Sequence, residues 1–180
     1  MLPLRTNVSA LLLMPVIAVL SGGWGQRGHM VANRAAVDAI PADGPVFLQA
    51  QRDWIGHTGP LPDSWRGIGE PYSKIFEDPN HGWFKEQLAF LTSIPRSRYE
   101  FVLRLYDEYQ RIKTSDPDRA ALTNVRWTGT LPYAAMENYD RMKAAMRAYR
   151  NAPENSPERA FLAQDIAFYM GWLGHYTADG

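Results

Sequence analysis

The 180-residue sequence contains no cysteine and has no excess of charge of either sign. Without cysteine the chain forms no disulfide, so outside a reducing compartment its fold must depend on core packing or on bound metal. The 19 basic and 19 acidic residues cancel to a formal net charge of zero. This balance excludes the strongly basic surface of a protein that holds nucleic acid by charge alone. Any affinity for an anionic ligand therefore requires a local source of positive charge, such as a metal ion.

The sequence also lacks an N-terminal apolar run long enough for a stop-transfer helix. The run from Ala10 to Leu20 is too short to span a bilayer comfortably. It follows the positively charged Arg5 and precedes the small residues Ser21-Gly22-Gly23, which is the arrangement of a secretory signal peptide. We expect residues 1–23 to be this signal, residues 24–180 to form one domain, and the protein to be secreted or periplasmic. A membrane anchor or a buried N-terminal helix is the alternative.

No segment shows the alternation of apolar and polar residues that is typical of a β-strand. The patterns predict an all-α protein with a long irregular loop over 56–82, where Gly, Pro, Asp and Asn are frequent. Helices are predicted over 29–40, over 97–113, from Asp116-Pro117, over 131–150, and from Ser156-Pro157 through 161–179.

Two of these helices carry apolar stripes that predict their core-facing sides. In the 97–113 helix the stripe consists of Phe101, Leu105 and Tyr109, with Val102 beside it. In the 131–150 helix it consists of Met136, Tyr139, Met142 and Met146.

Two of the four histidines have informative neighbours. His175 and Asp179 are four residues apart on the last predicted helix, so both side chains project from one face. A histidine and a carboxylate in this arrangement can share one metal ion or bridge two, although an ordinary hydrogen-bonded pair has the same spacing. His57 has no companion at metal-ligand spacing, and we interpret it as a residue on the surface or behind a ligand.

The other informative histidine follows the expected cleavage site. A mature chain would begin Trp24-Gly25-Gln26-Arg27-Gly28-His29. A free α-amino group has a pKa of about 8, so a metal ion can displace its proton near neutral pH. A buried tryptophan and a histidine at a helix start are the alternative reading of this segment.

Further motifs follow along the chain, and their order resembles that of the S1/P1 nuclease family in the phospholipase C/P1 nuclease superfamily. They are the WGxxGH start, Pro62-Asp63-Ser64-Trp65-Arg66, Asp78-Pro79-Asn80-His81, Gly129-Thr130-Leu131-Pro132-Tyr133, and the segment from Phe168 to Asp179. The resemblance implies the superfamily's helical fold and a set of Zn²⁺ ions bound by nitrogen and oxygen ligands, which suit zinc at a hydrolytic site.

Carried onto this sequence, the resemblance implies two zinc sites that share one carboxylate. Asp63, His81, His175 and Asp179 would hold one ion, while the amine and carbonyl of Trp24, with His29 and Asp179, would hold the second. Arg66 would orient Asp63 and contact a phosphate oxygen of the substrate. Asp53 and Asp78 stay open as alternatives to Asp63. The family's third zinc site uses ligands that come after the helix ending at Asp179, so we expect this domain to be incomplete and to lack that site.

The activity implied is that of a secreted zinc-dependent endonuclease that cleaves single-stranded DNA or RNA with a metal-activated hydroxide, with Asp179 and Arg66 as catalytic residues. Trp54, Trp65 and Trp83 near the site segments are candidates for base stacking. No stable protein partner and no membrane span after signal removal are expected. The alternatives are a zinc-dependent phospholipase C, whose members have a longer gap between the first Trp and its His, and a truncated, non-catalytic zinc-binding helical protein.

Overall fold

The computed structural model describes residues 25–67 and 75–180, so the expected signal peptide and the proposed ligand Trp24 lie outside the described residues. Three 3₁₀ helices cover Val46–Gln51, Asp78–His81 and Lys85–Leu88. The α-helices are α1 (Gly25–Asp38), α2 (Arg52–Thr58), α3 (Leu61–Gly67), α4 (Arg98–Ile112), α5 (Pro117–Leu122), α6 (Val125–Thr128), α7 (Leu131–Asn151) and α8 (Pro157–Asp179).

The predicted all-α class is confirmed. Strand-type pairing in the described ranges is limited to an isolated bridge between Trp83 and Gly129. Among the helices that the structure describes, none combines the length and apolarity needed to cross a membrane.

Helix starts follow the capping residues that the sequence predicts. A side-chain oxygen at the N-terminal cap accepts a hydrogen bond from a backbone N–H that has no partner within the helix. Such caps begin α4, α5 and α8: Ser97 accepts from the N–H of Glu100, Asp116 from that of Arg119, and Ser156 from that of Arg159. The predicted start at Ser156-Pro157 and the predicted end at Asp179 therefore both match α8.

The main core lies between an antiparallel hairpin of α7 and α8 and the N-terminal helices α1 and α2. Only residues 152–156 connect α7 to α8, and Arg159 fastens the connection by donating to the Ala152 carbonyl at 3.0 Å. The buried core residues are Val37, Leu48, Ile55, Ala145, Ile166 and Ala167. A second cluster packs α4 against the start of α7 and consists of Leu88, Phe101, Leu105 and Tyr133.

The close contact between α1 and α8 is made at Asn33. Its side-chain amide donates to the Gly171 carbonyl at 3.0 Å and to the Ile55 carbonyl at 3.4 Å, which ties α8 and α2 to α1. Asn33 also lies between two glycines: a Cβ on Gly59 would come within 2.2 Å of its Nδ2, and one on Gly174 within 1.7 Å of its Oδ1. No side chain larger than hydrogen fits at either position.

The prediction of a long irregular loop over 56–82 is wrong for most of its length that the structure describes. The segment contains the end of α2, all of α3 and the 3₁₀ helix Asp78–His81. Gly59 and Pro62 serve packing rather than irregularity, since Gly59 permits the contact with Asn33 and Pro62 is fully buried at the start of α3. Proline is compatible with the first turn of a helix because no hydrogen-bond partner is missing there.

The predicted apolar stripes are correct only in part. On α4, Phe101 and Leu105 are buried, but Val102 and Tyr109 are exposed and Glu108 is buried instead. On α7 the buried positions facing its neighbours are Leu131, Tyr133, Ala134, Asn138 and Ala145. Met142 and Met146 pack at the edge of the main core, whereas Met136 and Tyr139 face outward. Small residues face α8 because they let the two helix backbones approach closely.

Glu108 occupies a core-facing position of α4 because two arginines compensate its charge. Arg111 donates two hydrogen bonds of 2.7 Å to the two carboxylate oxygens, and Arg119 of α5 donates a third of 2.9 Å. The hydrogen bonds from Arg111 lower the pKa of Glu108 from its ordinary value, against the opposite effect of burial. The ion pair thus fixes α5 against α4.

We expect the substitution Glu108→Gln to lower the free energy of unfolding at neutral pH by about 1–2 kcal/mol, because the arginines are partly exposed to solvent. A carboxylate with a lowered pKa in the folded protein stabilises the fold above its unfolded pKa of about 4.3, and this contribution is lost as the pH falls through the folded pKa. Urea denaturation of both proteins from pH 3 to pH 8 measures the difference. A difference that stays constant as the pH falls below 4 would contradict the ionic origin.

Candidate metal centre

Three histidines and two aspartates converge where the N-terminal turns of α1 meet the C-terminal turn of α8. Along α1 the buried positions His29, Asn33 and Val37 recur every four residues, so the stripe that reaches the core at Val37 reaches the site at His29. His175 and Asp179 lie on one face of the last turns of α8. The rings of His29 and His175 stack with their centroids 3.9 Å apart, and both are almost completely buried.

His81 is brought to this cluster by contacts between its 3₁₀ helix and the start of α7. The N–H of Thr130 donates to the Pro79 carbonyl at 2.6 Å, and that of Leu131 donates to the Gly82 carbonyl at 3.2 Å. The Asn80 side chain accepts from Thr130 Oγ1 at 2.9 Å and from Arg98 at 2.8 Å. These bonds explain why the segment Gly129–Tyr133, which the sequence marks only as a helix start, is relevant to the site.

Three potential ligand atoms lie close to the Nδ1 atom of His81. His81 Nδ1 lies 3.0 Å from Asp179 Oδ2, 3.1 Å from His175 Nε2 and 3.6 Å from Asp63 Oδ1, and His175 Nε2 lies 3.2 Å from Asp179 Oδ2. A tetrahedral zinc ion with bonds of about 2.0–2.1 Å holds its ligand atoms about 3.3 Å apart. The observed separations have this size. Asp63, His81 and His175 form one group that could hold a metal ion.

The second oxygens of the same two carboxylates face His29. Its Nε2 lies 3.5 Å from Asp179 Oδ1 and 3.7 Å from Asp63 Oδ2. His29, His175 and Asp179 form the other group of ligand atoms close enough to hold an ion. Asp179 therefore contributes one oxygen to each side, which is the arrangement of a bridging ligand, and Asp63 is oriented in the same way.

The electrostatics of the cluster suit a cation. Burial lowers the pKa of His29, assisted by the neighbouring His175. Burial would also lower the pKa of His81, but its hydrogen bonds with Asp179 and Glu77 outweigh this and raise the pKa to about 9. Burial opposes ionisation of Asp179, yet its hydrogen bonds with His175 and His81 hold the pKa of this carboxyl well below its usual value. Without a metal the site thus relies on protons to balance its carboxylates, and a divalent ion would displace them.

The donor set fits zinc better than the hard cations. Imidazole nitrogen with carboxylate oxygen is a zinc-type set, whereas Mg²⁺ and Ca²⁺ prefer oxygen alone. The carboxylates of Asp63, Asp179 and Glu77 bring negative charge to the site. Among the described residues, Arg66 reaches Asp63 only at 3.8 Å, and the ion-pair partners of Asp179 and Glu77 are histidines. The residues present therefore fit zinc in both number and chemistry.

Other candidate residues lie outside the centre. Asp53 is exposed and pairs with Arg34, and His57 is exposed with its Nδ1 2.7 Å from the Asp53 carbonyl. Asp78 pairs with Arg66 at 3.0 Å and belongs to neither group of potential metal ligands. Of the three aspartates considered from the sequence, Asp63 is the one that lies in the cluster.

Arg66 and the tryptophans differ from the expectations drawn from the sequence. The closer partner of Arg66 is Asp78, while its Nη1 stays 3.8 Å from Asp63, a distance longer than a hydrogen bond. Trp83 packs on Phe101 at 5.3 Å between ring centroids, and Trp54 is half exposed on α2. Trp65 lies on α3 between Asp63 and Arg66.

Glu77 and Tyr176 contact the centre but were not among the residues singled out from the sequence. Glu77 Oε1 lies 3.2 Å from His81 Nε2 and accepts a hydrogen bond of 2.7 Å from the Tyr176 hydroxyl. The spacing of Glu77 and His81 is four residues, the same as that of His175 and Asp179, and this was the available signal. The sequence predicts an irregular loop over 56–82, and in a loop a spacing of four residues does not indicate that two side chains lie on the same side.

No protein-family model matches the chain, and no curated protein or solved structure is significantly similar to it. Because a fold class alone does not determine a function, the inferences below rest on the geometry and chemistry of the site and on the sequence motifs.

Proposed function

We propose that the chain is a secreted zinc-dependent phosphodiester hydrolase of the S1/P1 nuclease type, which cleaves single-stranded nucleic acid. One observation carries the proposal: His81 Nδ1 lies within 3.0–3.6 Å of ligand-type atoms of Asp179, His175 and Asp63. His29 faces the other oxygens of both carboxylates. Together with Trp24, which lies outside the described residues, these five residues are the ones to which the ordered motifs assign zinc ligands.

In this proposal each side chain has a separate task. Zinc bound at the centre would supply Lewis-acid chemistry, lowering the pKa of water and offsetting the charge of a phosphate ester. His81 and His175, with Asp63, would hold one ion and His29 the other, and Asp179 would be a ligand to both. Arg66 keeps its outer guanidinium donors free of close partners in the described residues, because its close contact with Asp78 uses Nε. The remaining N–H groups can donate to a phosphate oxygen.

A cleft next to the centre supports nucleic acid as the substrate. Its volume is about 680 Å³, and its wall includes Glu77 and Tyr176, which contact His81 and one another. The wall also presents Trp65, which meets Trp172 edge-on with 4.4 Å between centroids, together with Phe76 and the exposed Arg141. Arg98 in the same wall is paired with Glu137. Aromatic faces beside cationic groups are typical of single-strand binding, since exposed bases stack on the rings.

The first prediction concerns metal content. The purified protein should contain about two zinc ions per chain, one for each ligand group. The substitution His175→Ala should remove about one ion, and Asp179→Asn should weaken binding at both sites because this carboxylate contributes an oxygen to each. Elemental analysis after gel filtration measures the stoichiometry.

The matched control for this experiment is His57→Ala, which removes an exposed histidine outside the cluster. Its zinc content should equal that of the wild type. Wild-type protein that binds no zinc, or equal zinc loss in the two histidine variants, would contradict the assignment of the centre.

The second prediction concerns the substrate. The zinc-loaded protein should hydrolyse single-stranded oligonucleotides faster than duplexes and should leave phosphatidylcholine intact. A chelator should abolish the activity, added zinc should restore it, and His175→Ala should lack it while His57→Ala keeps it. Release of phosphocholine from lecithin with intact oligonucleotides would identify a phospholipase C instead, and zinc binding without hydrolysis of either substrate would identify a non-catalytic zinc protein.

The third prediction concerns the N-terminus. Trp24 directly precedes α1, and its nitrogen can coordinate zinc only as a free amine, because the lone pair of an amide nitrogen is delocalised. Protein carrying a tag before Trp24 should therefore fold, bind less zinc and hydrolyse more slowly than protein trimmed to Trp24. Far-ultraviolet circular dichroism confirms the fold of each form, while elemental analysis and turnover test the ligand. Equal zinc content and turnover before and after trimming would reject the N-terminal ligand.

A further inference from the structure

We propose that Glu77, held in place by Tyr176, is a positioning residue that determines which nitrogen of His81 faces the metal centre. The inference rests on the proposed zinc site, which it extends to the residues behind one of the ligands. Neither residue belongs to the ligand groups themselves.

The contacts of His81 divide between its two ring nitrogens. Nδ1 faces the centre, 3.0 Å from Asp179 and 3.1 Å from His175, whereas Nε2 points away from it toward Glu77 Oε1 at 3.2 Å. An ionised carboxylate accepts hydrogen bonds and cannot donate one. The Nε2 atom must therefore carry a proton, which leaves the lone pair of a neutral ring on Nδ1. The carboxylate thereby selects the tautomer that can bind a metal ion at the centre.

Tyr176 couples this carboxylate to the helix that supplies the other ligands. Its buried hydroxyl donates to the same Oε1 atom at 2.7 Å, and it follows His175 directly on α8. The second oxygen of Glu77 accepts from the Asn80 amide at 3.3 Å. Glu77 thus has hydrogen bonds from its own segment and from α8. Any shift of α8 that moves His175 and Asp179 also moves the group that orients His81.

If Glu77 had a purely structural role, a different effect on metal binding would be expected. A comparison with Glu137 distinguishes the structural role from the positioning role. Glu137 receives two hydrogen bonds, of 2.8 and 2.9 Å, from Arg98, which in turn donates to Asn80. It therefore supports the same segment without a hydrogen bond or ion pair to His81 in the described part of the chain. If Glu77 merely stabilised the segment, Glu77→Gln and Glu137→Gln would have similar effects on metal binding.

The test measures zinc affinity by competition with a chelating dye for wild type, Glu77→Gln and Glu137→Gln. We expect Glu77→Gln to bind zinc about 10- to 100-fold more weakly at the site of His81, the usual effect of losing a group that orients a ligand, and Glu137→Gln to bind as the wild type does. In the zinc-loaded proteins, the ¹⁵N chemical shifts of the His81 ring should show a protonated Nε2 and a metal-bound Nδ1 in the wild type, and a mixture of ring states in Glu77→Gln. The absorption bands of the cobalt-substituted protein should change only in Glu77→Gln.

Tyr176→Phe removes only the hydroxyl and gives a second, milder test. It should weaken zinc binding less than Glu77→Gln does, and in the Glu77→Gln background it should add little, because the two residues act through one contact. If the wild type binds zinc but Glu77→Gln matches Glu137→Gln in affinity, ring shifts and cobalt spectrum, the inference fails alone. If the wild type binds no zinc, the proposed function fails with it.

Discussion

The site depends on the contact between α1 and α8 at Asn33. This side chain lies between Gly59 and Gly174, and its amide is bonded to backbone carbonyls of α2 and α8. The contact sets the distance between the helices, and one turn away on α1 it places the His29 ring against His175. A larger residue at Gly174 would push α8 from α1 and separate ligands that lie within hydrogen-bonding distance of each other. Helix packing thus fixes the geometry of the site before any metal binds.

The burial of so many ionisable groups imposes a cost that the protein fold alone does not remove. His29 and His175 are buried, and their Nδ1 atoms have no hydrogen-bond partner among the described residues. In the absence of a metal, a raised pKa at His81 and a lowered pKa at Asp179 keep these two groups as an ion pair. A bound cation would compensate the carboxylates directly, so its binding free energy would stabilise the fold. In a chain without cysteine, a metal centre can take the stabilising role that disulfides have in many secreted proteins.

The sequence predicts the helical class, the capped starts of α4, α5 and α8, and the shared face of His175 and Asp179, because these features depend on local spacing. It fails where tertiary packing reverses a local signal. Gly59 and Pro62 suggest a loop, but Gly59 lies in the tight turn between two short helices and Pro62 is buried in the second of them. Glu108 lies outside the predicted apolar stripe of α4 but is buried by two arginines. The sequence does not indicate Glu77 as a site residue for a related reason, since its proposed role depends on Tyr176, a residue distant in sequence.

The central claim is that Asp63, His81, His175 and Asp179 bind one metal ion, with His29 facing a second on the other side of the carboxylates. The most direct measurement is an anomalous difference map at the zinc absorption edge from crystals of the zinc-loaded protein. We expect one zinc peak at bonding distance, about 2.0–2.2 Å, from His81 Nδ1, His175 Nε2 and both aspartates, and a second peak beside His29. Zinc found only at exposed residues such as His57, with none inside the cluster, would contradict it.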